Sequence, residues 1–115
     1  MGTILMAECP CGMKMQFKTG GGRLNFHTTC YFPYLCENCS AIIQVNMMSE
    51  RKECPHCMAA KIIPYDDPRL SGRAGSKMVD GVTVEGRDHL LNDGSYKCPK
   101  CNQYNLYFWC CGDWD

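Results

Sequence analysis

Eight of the eleven cysteines stand in four short pairs: "CPC" from Cys9, "CENC" from Cys36, "CPHC" from Cys54 and "CPKC" from Cys98. Thiols this close in sequence can serve as a redox dithiol, as disulfide partners or as metal ligands, and their surroundings separate the three chemistries. A secreted disulfide framework favours an even count spread along a chain that follows a signal peptide. Here the count is odd, and the opening "MGTILMAECP" has no basic region and only a short apolar run, so no secretory leader is expected. A reducing, cytoplasmic setting fits better. A redox CxxC sits at the start of a helix, whose dipole lowers the thiol pKa. The runs after Cys39 ("SAIIQVNM") and Cys101 ("NQYNLYFW") are β-branched or aromatic without helical period, and "MAAKIIPY" after Cys57 is ambiguous until Pro64 stops it, so that setting is missing at most of the pairs.

Metal ligation has a direct physical reason. A CxxC turn aims two thiolates at one centre while turn N–H groups donate to the sulfurs, and two facing turns complete a closed tetrahedral shell of four sulfurs. Pro10, Pro55 and Pro99 follow the first cysteine of their pairs and fix φ within the turn. The expectation is two Zn2+ ions held by Cys9, Cys11, Cys36, Cys39, Cys54, Cys57, Cys98 and Cys101. The pairs can combine in three ways: neighbours, alternating pairs, or inner with inner and outer with outer. The spacing favours the last, which joins Cys36/Cys39 with Cys54/Cys57 and closes the chain end to end through Cys9/Cys11 and Cys98/Cys101.

"CENC", fourteen intervening residues and "CPHC" resemble a zinc ribbon, with rubredoxin-like knuckles at both ends of a short hairpin. The resemblance implies "SAIIQVNM" as the outgoing strand, "SERK" as the turn and "KE" as the start of the return strand. Iron-binding knuckles of that kind carry Gly after the second cysteine. Here Ser40, Met58 and Asn102 occupy that place, and only "CPCG" conforms, which points to zinc.

Three cysteines remain. "HTTC" makes His27 and Cys30 a candidate substitute ligand pair, although a buried thiol beside a strand histidine is the plainer expectation. Cys110 and Cys111 are adjacent. A third site uniting them with Cys98 and Cys101 needs the intervening residues to fold back, whereas eight such residues prefer to run straight for roughly 26 Å.

The elements that position these pairs are expected to be strands. Leu, Ile, Val and Phe are sparse in the 115 residues, so metal must supplement a small core. The fold class is a small metal-stabilised, mostly β chain of zinc-ribbon hairpins with little helix. Residues 1–65 form an N-terminal zinc-ribbon region, 66–78 a flexible loop and 79–115 a C-terminal β region, packed on the first as one unit. Within these, "MKMQFKT", "GGG" and "RLNFHTT" read as a hairpin that returns Cys30 toward Cys9 and Cys11. "SKMVDGVTVE" reads as a hairpin across Asp80 and Gly81, and a further turn is expected from Asn92 to Ser95.

For function, the formal net charge of zero gives no global attraction to nucleic acid or membrane, and no stretch is long and apolar enough to span a bilayer. No catalytic set emerges: Asp66 and Asp67 read as solvated loop carboxylates, and His89 as a surface histidine. The expectation is therefore a non-catalytic zinc-binding protein that acts as a protein-interaction adaptor. The alternative is a nucleic-acid-binding zinc-ribbon protein, contacting RNA or DNA through Lys14, Lys18 and Arg23 interleaved with Phe17, Phe26, Tyr31, Phe32 and Tyr34. Those aromatics are also the best available core. A thiol redox or metal-handling protein using Cys30, Cys110 and Cys111 is the remaining alternative.

Overall fold

A computed structural model describes residues 2–21 and 28–114. Its eight strands are β1 (Gly2–Glu8), β2 (Lys14–Thr19), β3 (Tyr31–Cys36), β4 (Ala41–Asn46), β5 (Ile62–Pro64), β6 (Met78–Val84), β7 (Arg87–Asn92) and β8 (Tyr107–Trp114). A single 3-10 turn spans Pro68–Leu70, and no α-helix occurs among the described residues. The chain is thus small and mostly β.

The strands form three antiparallel sheets, with orders β2-β1-β8, β4-β3-β5 and β6-β7. In the first sheet the period-two pattern is plain. Leu5, Ala7, Phe17 and Phe108 are buried, while Lys14, Gln16, Lys18, Tyr107 and Trp109 face outward, as a half-buried antiparallel sheet requires. Pairing β8 with β1 brings the two ends of the chain into one sheet, and the Cα radius of gyration is 13.2 Å, against about 13 Å for one compact domain of this size. In the second sheet "YFPYLC" runs as the central strand, with Phe32, Tyr34, Leu35 and Cys36 buried. Pro33 stands just past the last β3–β5 pair (Tyr34 with Pro64), and its carbonyl accepts from the Tyr65 N–H at 3.1 Å.

The core lies between the sheets around one aromatic cluster. Phe108 is 5.0 Å from Tyr96, 5.4 Å from Tyr65 and 5.8 Å from Phe17, ring centroid to ring centroid. Such pairs add about 0.5–1.5 kcal/mol each beyond the apolar area they bury.

Several local expectations change. The partner of β2 is β1, and the turn between them is the "CPC" stretch itself. Gly20 then bridges Tyr31 through two backbone bonds of 2.8 and 2.9 Å, which puts Cys30 at the far end of β2 from Cys9 and Cys11. The remainder of the expected Gly-centred hairpin (22–27) lies outside the described residues. No strand begins at Lys52 and Glu53, because β4 finds its partner in the preceding β3. Asp80 and Gly81 lie inside β6 next to a bulge, and the hairpin turns at Glu85 and Gly86, both at positive φ (53° and 78°), as a tight two-residue turn demands. The side chain of Asp80 accepts from the Thr19 hydroxyl instead. The segment 66–78 is anchored within the fold: Leu70 is buried, Ser71 bridges Tyr96, and the preceding Tyr65 is fully buried.

Candidate metal centres

Each cysteine pair sits on a turn with the same internal wiring. At Cys54 the N–H reaches the Ala59 carbonyl at 2.9 Å, and the Met58 N–H returns to the Cys54 carbonyl at 2.9 Å. At Cys98 the same two bonds join Gln103 (2.8 Å) and Asn102 (2.9 Å). The contracted Cys9 turn is one residue shorter, with Cys9 bonded to Met13 at 3.0 Å and Gly12 to Cys9 at 2.9 Å. At Cys36 the turn closes the β3–β4 hairpin through the Cys36–Ala41 pair. The residue after the second cysteine is left-handed in all four: Gly12 (φ 103°), Ser40 (50°), Met58 (64°) and Asn102 (62°). Three non-glycine residues accept this conformation, which costs an L-residue roughly 1–2 kcal/mol, because the turn aims both sulfurs at one point.

The turns meet in two groups. Cys9, Cys11, Cys98 and Cys101 form a terminal shell, and Cys36, Cys39, Cys54 and Cys57 a central one, with all four sulfurs of each within 4.8 Å of one another. Closest Sγ–Sγ separations are 3.7 Å (Cys9–Cys101), 3.6 Å (Cys11–Cys98), 3.6 Å (Cys36–Cys57) and 3.7 Å (Cys39–Cys54). A tetrahedron of thiolates at about 2.3 Å from one ion has edges of about 3.8 Å. Both groups could therefore hold a metal ion, in the outer-with-outer and inner-with-inner arrangement.

The electrostatics point the same way. In the central shell Cys57 is pulled down to about 6, first by a hydrogen bond from the Asn38 side chain and then by the Ala59 N–H. Cys39 is pushed up to about 12, chiefly by its contacts with the Cys57 and Cys54 thiols. In the terminal shell the Met13 N–H pulls Cys11 down to about 7, whereas burial pushes Cys9 up to about 12. Cys36 and Cys98 are also raised by burial. One thiolate forms readily in each shell and makes the others harder to ionise. A closed shell of four thiolates needs a central cation to neutralise it.

Asn38 is a residue the spacing could not single out, since its partner Cys57 lies in the other turn of the shell. The remaining thiols among the described residues join neither group. Cys30 is buried, with its pKa raised by desolvation and by Asp80, so it is a poor nucleophile. Cys110 and Cys111 are exposed on β8, which stays paired with β1 through a bulge at Cys111 rather than bringing them to Cys98 and Cys101. His27 lies outside the described residues.

The basic positions are partly engaged. The Lys14 ammonium lies 3.4 Å from Glu8, and that of Lys18 lies 4.8 Å above the Trp114 ring. Arg23 and Phe26 lie outside the described residues. Phe17, Phe32 and Tyr34 are buried and Tyr31 half-buried, so these aromatics serve the core. Asp66 and His89 correct their reading as free surface groups. His89 Nδ1 is 2.7 Å from Asp66 Oδ2, and its ring lies 5.6 Å from that of Phe32.

Comparison with protein-family models, with curated proteins and with solved structures finds no match to the chain in any of the three. The fold and the two shells define the class, a small, mostly β chain with two four-cysteine groups that could bind metal. No helix among the described residues is long and apolar enough to cross a membrane.

Proposed function

We propose that this is a non-catalytic, zinc-ribbon-like adaptor, in which two structural zinc ions hold a β scaffold that docks a partner protein. A four-thiolate shell has no open position for substrate, which suits a structural ion, and shells of reduced thiols suit the cytoplasm. The observation that carries the docking role is where the aromatic rings are exposed. Tyr104, Tyr107 and Trp109 are 42, 42 and 40 % exposed, whereas every other described Phe, Tyr or Trp ring is buried or half-buried. Exposed aromatics gathered at one place are what protein interfaces enrich.

Native mass spectrometry of protein purified without added metal tests both parts. Two zinc ions per chain and a co-purifying protein that is lost in Trp109→Lys support the proposal. Fewer than two metals, or a different metal, overturns the zinc assignment.

One observation favours a second reading, binding of single-stranded nucleic acid. Gln16 and Trp109 both pair with Met6, so Lys14, Lys18 and Trp109 share the outer face of one sheet. Three to four phosphate contacts would make affinity fall by roughly a hundredfold between 50 and 200 mM salt. A titration showing that slope, abolished in a Lys14→Ala, Lys18→Ala, Arg23→Ala variant that retains its metal, would replace the adaptor reading.

A further inference from the structure

We propose that the cleft between Tyr31 and Trp114 seats one base of a single-stranded nucleic acid, with Lys18 on its phosphate. The inference rests on the second reading above, locates a base-binding position for it, and is independent of the adaptor reading. The cleft has a volume of about 420 Å³ and its lining includes Ile4, Gln16, Lys18, Tyr31, Gln44 and Trp114. It opens where the outer face of the first sheet meets the second.

Both rings are held before any ligand arrives. Trp114 pairs with Gly2, where a Cβ would collide with the indole nitrogen. The indole therefore reaches across β1 and donates its N–H to the Thr19 carbonyl at 2.9 Å. Tyr31 is fixed by Gly20 at both its main-chain N–H and its carbonyl. The two ring centroids are 5.8 Å apart, with planes inclined at 39°. Aromatic residues held this way lose little freedom on binding. The Lys18 ammonium rests 4.8 Å from the centre of the Trp114 ring, and its flexible stem lets it leave that face to a base and take the adjoining phosphate.

Charge selects an anion. No acidic residue lines the cleft, and Lys18 has no acidic partner among the described residues. Glu8, on the same face, is matched by Lys14 at 3.4 Å. Asp113 pairs with Thr3, the neighbour of Ile4, and so turns to the opposite face. Among the described residues, that leaves the outer face of the sheet with one uncompensated positive charge.

Hydrogen bonding and shape select a base. Gln44 Oε1 accepts from the Lys18 N–H at 2.7 Å, which leaves the Gln44 amide N–H groups without a partner among the described residues. With the ammonium they make the cleft rich in donors, the complement of base carbonyls and phosphate oxygens. An acidic peptide offers carboxylates without a flat ring beside them, and a duplex keeps its bases stacked. An unpaired nucleotide supplies ring, carbonyl and phosphate in one unit. Lys14, Gln16 and Lys18 stand at every second residue of β2, about 6.8 Å apart along the strand. Gln16 and Trp109 both pair with Met6, so the rest of the strand has a path from the cleft toward Trp109.

The test uses the full zinc-loaded chain at about 50 mM salt and three probes of equal length: oligothymidylate, the same sugar–phosphate strand without bases, and a glutamate peptide. Binding is followed by NMR of the amides and of the two indole N–H groups, which Trp109→Phe assigns. The expected result is saturable binding of oligothymidylate, at least tenfold tighter than of the baseless strand, with shifts at Trp114, Tyr31 and Gln44. Tyr31→Ala should weaken it at least fivefold. Lys18→Gln, a change at an exposed side chain, should weaken it and lower the salt slope by about one, with metal content and the remaining amide signals unchanged. Equal or tighter binding of the baseless strand or of the glutamate peptide overturns the proposal. Binding that shifts Trp109 but neither Trp114 nor Tyr31 overturns the cleft and leaves the nucleic-acid reading in place. No binding of any probe overturns both and does not touch the adaptor reading.

Discussion

Tyr65 donates its hydroxyl hydrogen to the Lys97 carbonyl at 2.9 Å, and Lys97 directly precedes Cys98 of the terminal shell. Tyr65 itself follows β5, the strand that leaves the central shell, and it is completely buried. One side-chain hydrogen bond therefore ties the residue that follows the strand leaving the central shell to the backbone entering the terminal one.

Tyr65→Phe keeps the ring packing against Phe108 and leaves the carbonyl of the half-buried Lys97 without this donor. The expected loss is about 1–3 kcal/mol of stability, with faster zinc release from the terminal shell than from the central one. Thermal melts and single-shell metal-release kinetics check this. An unchanged melting temperature would show that water replaces the hydroxyl.

Metal removal should unfold the chain rather than merely empty its shells. Apparent binding energies of structural zinc are on the order of 10–16 kcal/mol at neutral pH, comparable with the whole stability of a small domain. Titration with a strong chelator, followed by far-ultraviolet circular dichroism, should show strand signal lost in step with zinc. Intact β structure after complete removal would refute a stabilising role for the metal.

Cys54→Ser is expected to damage the fold far more than Cys30→Ser. The first opens a closed shell, while the second trades a buried thiol for a hydroxyl that needs a partner, at about 1–3 kcal/mol. Zinc content separates them: one ion lost from the Cys54 variant and none from the Cys30 variant. Equal loss would make Cys30 a ligand.

Acidification should empty both shells. A thiol whose folded pKa lies below its ordinary value of about 8.5 favours the folded turn fully above that value, and the benefit disappears as pH falls through the folded pKa. That fall occurs near 7 for Cys11 and near 6 for Cys57. Cys9 and Cys39, pushed up to about 12, act in the opposite direction: their contribution is present at neutral pH and lost only as pH rises through that value. Zinc release into a chromogenic chelator, titrated downward from pH 8, should rise as the pH falls. Release that does not depend on pH contradicts this.

What the sequence made legible follows the range of the forces involved. Each cysteine turn is local, because a thiol spacing sets it, whereas the terminal group joins Cys9 to Cys101 and Cys11 to Cys98 across 92 and 87 residues. The mostly β character is equally local, written in "AIIQV" and "LYFW". The rest depended on contacts distant in sequence. "GTILMAE" has no strong strand signal, and becomes the central strand of its sheet because β2 and β8 both pair with it. Asp80–Gly81 is a strong turn signal overridden by the long hairpin register and by the bond from Thr19. The Pro- and Gly-rich run after β5 reads as a linker, yet its neighbours Tyr65 and Leu70 enter a core assembled from all three sheets. Asp66 gave no local sign that it would meet His89.

The end-to-end composition of the terminal shell also sets an order of events during synthesis. The central shell is complete once Cys57 has been made, but Cys9 and Cys11 must wait for Cys101, 44 residues later. At translation rates of about 5–20 residues per second, that interval is roughly 2–9 s. During it the β1–β2 hairpin carries two bare thiols and lacks β8, so on the zinc reading proposed above the first ion would be bound before β8 is made and the second would act as the clasp that follows it.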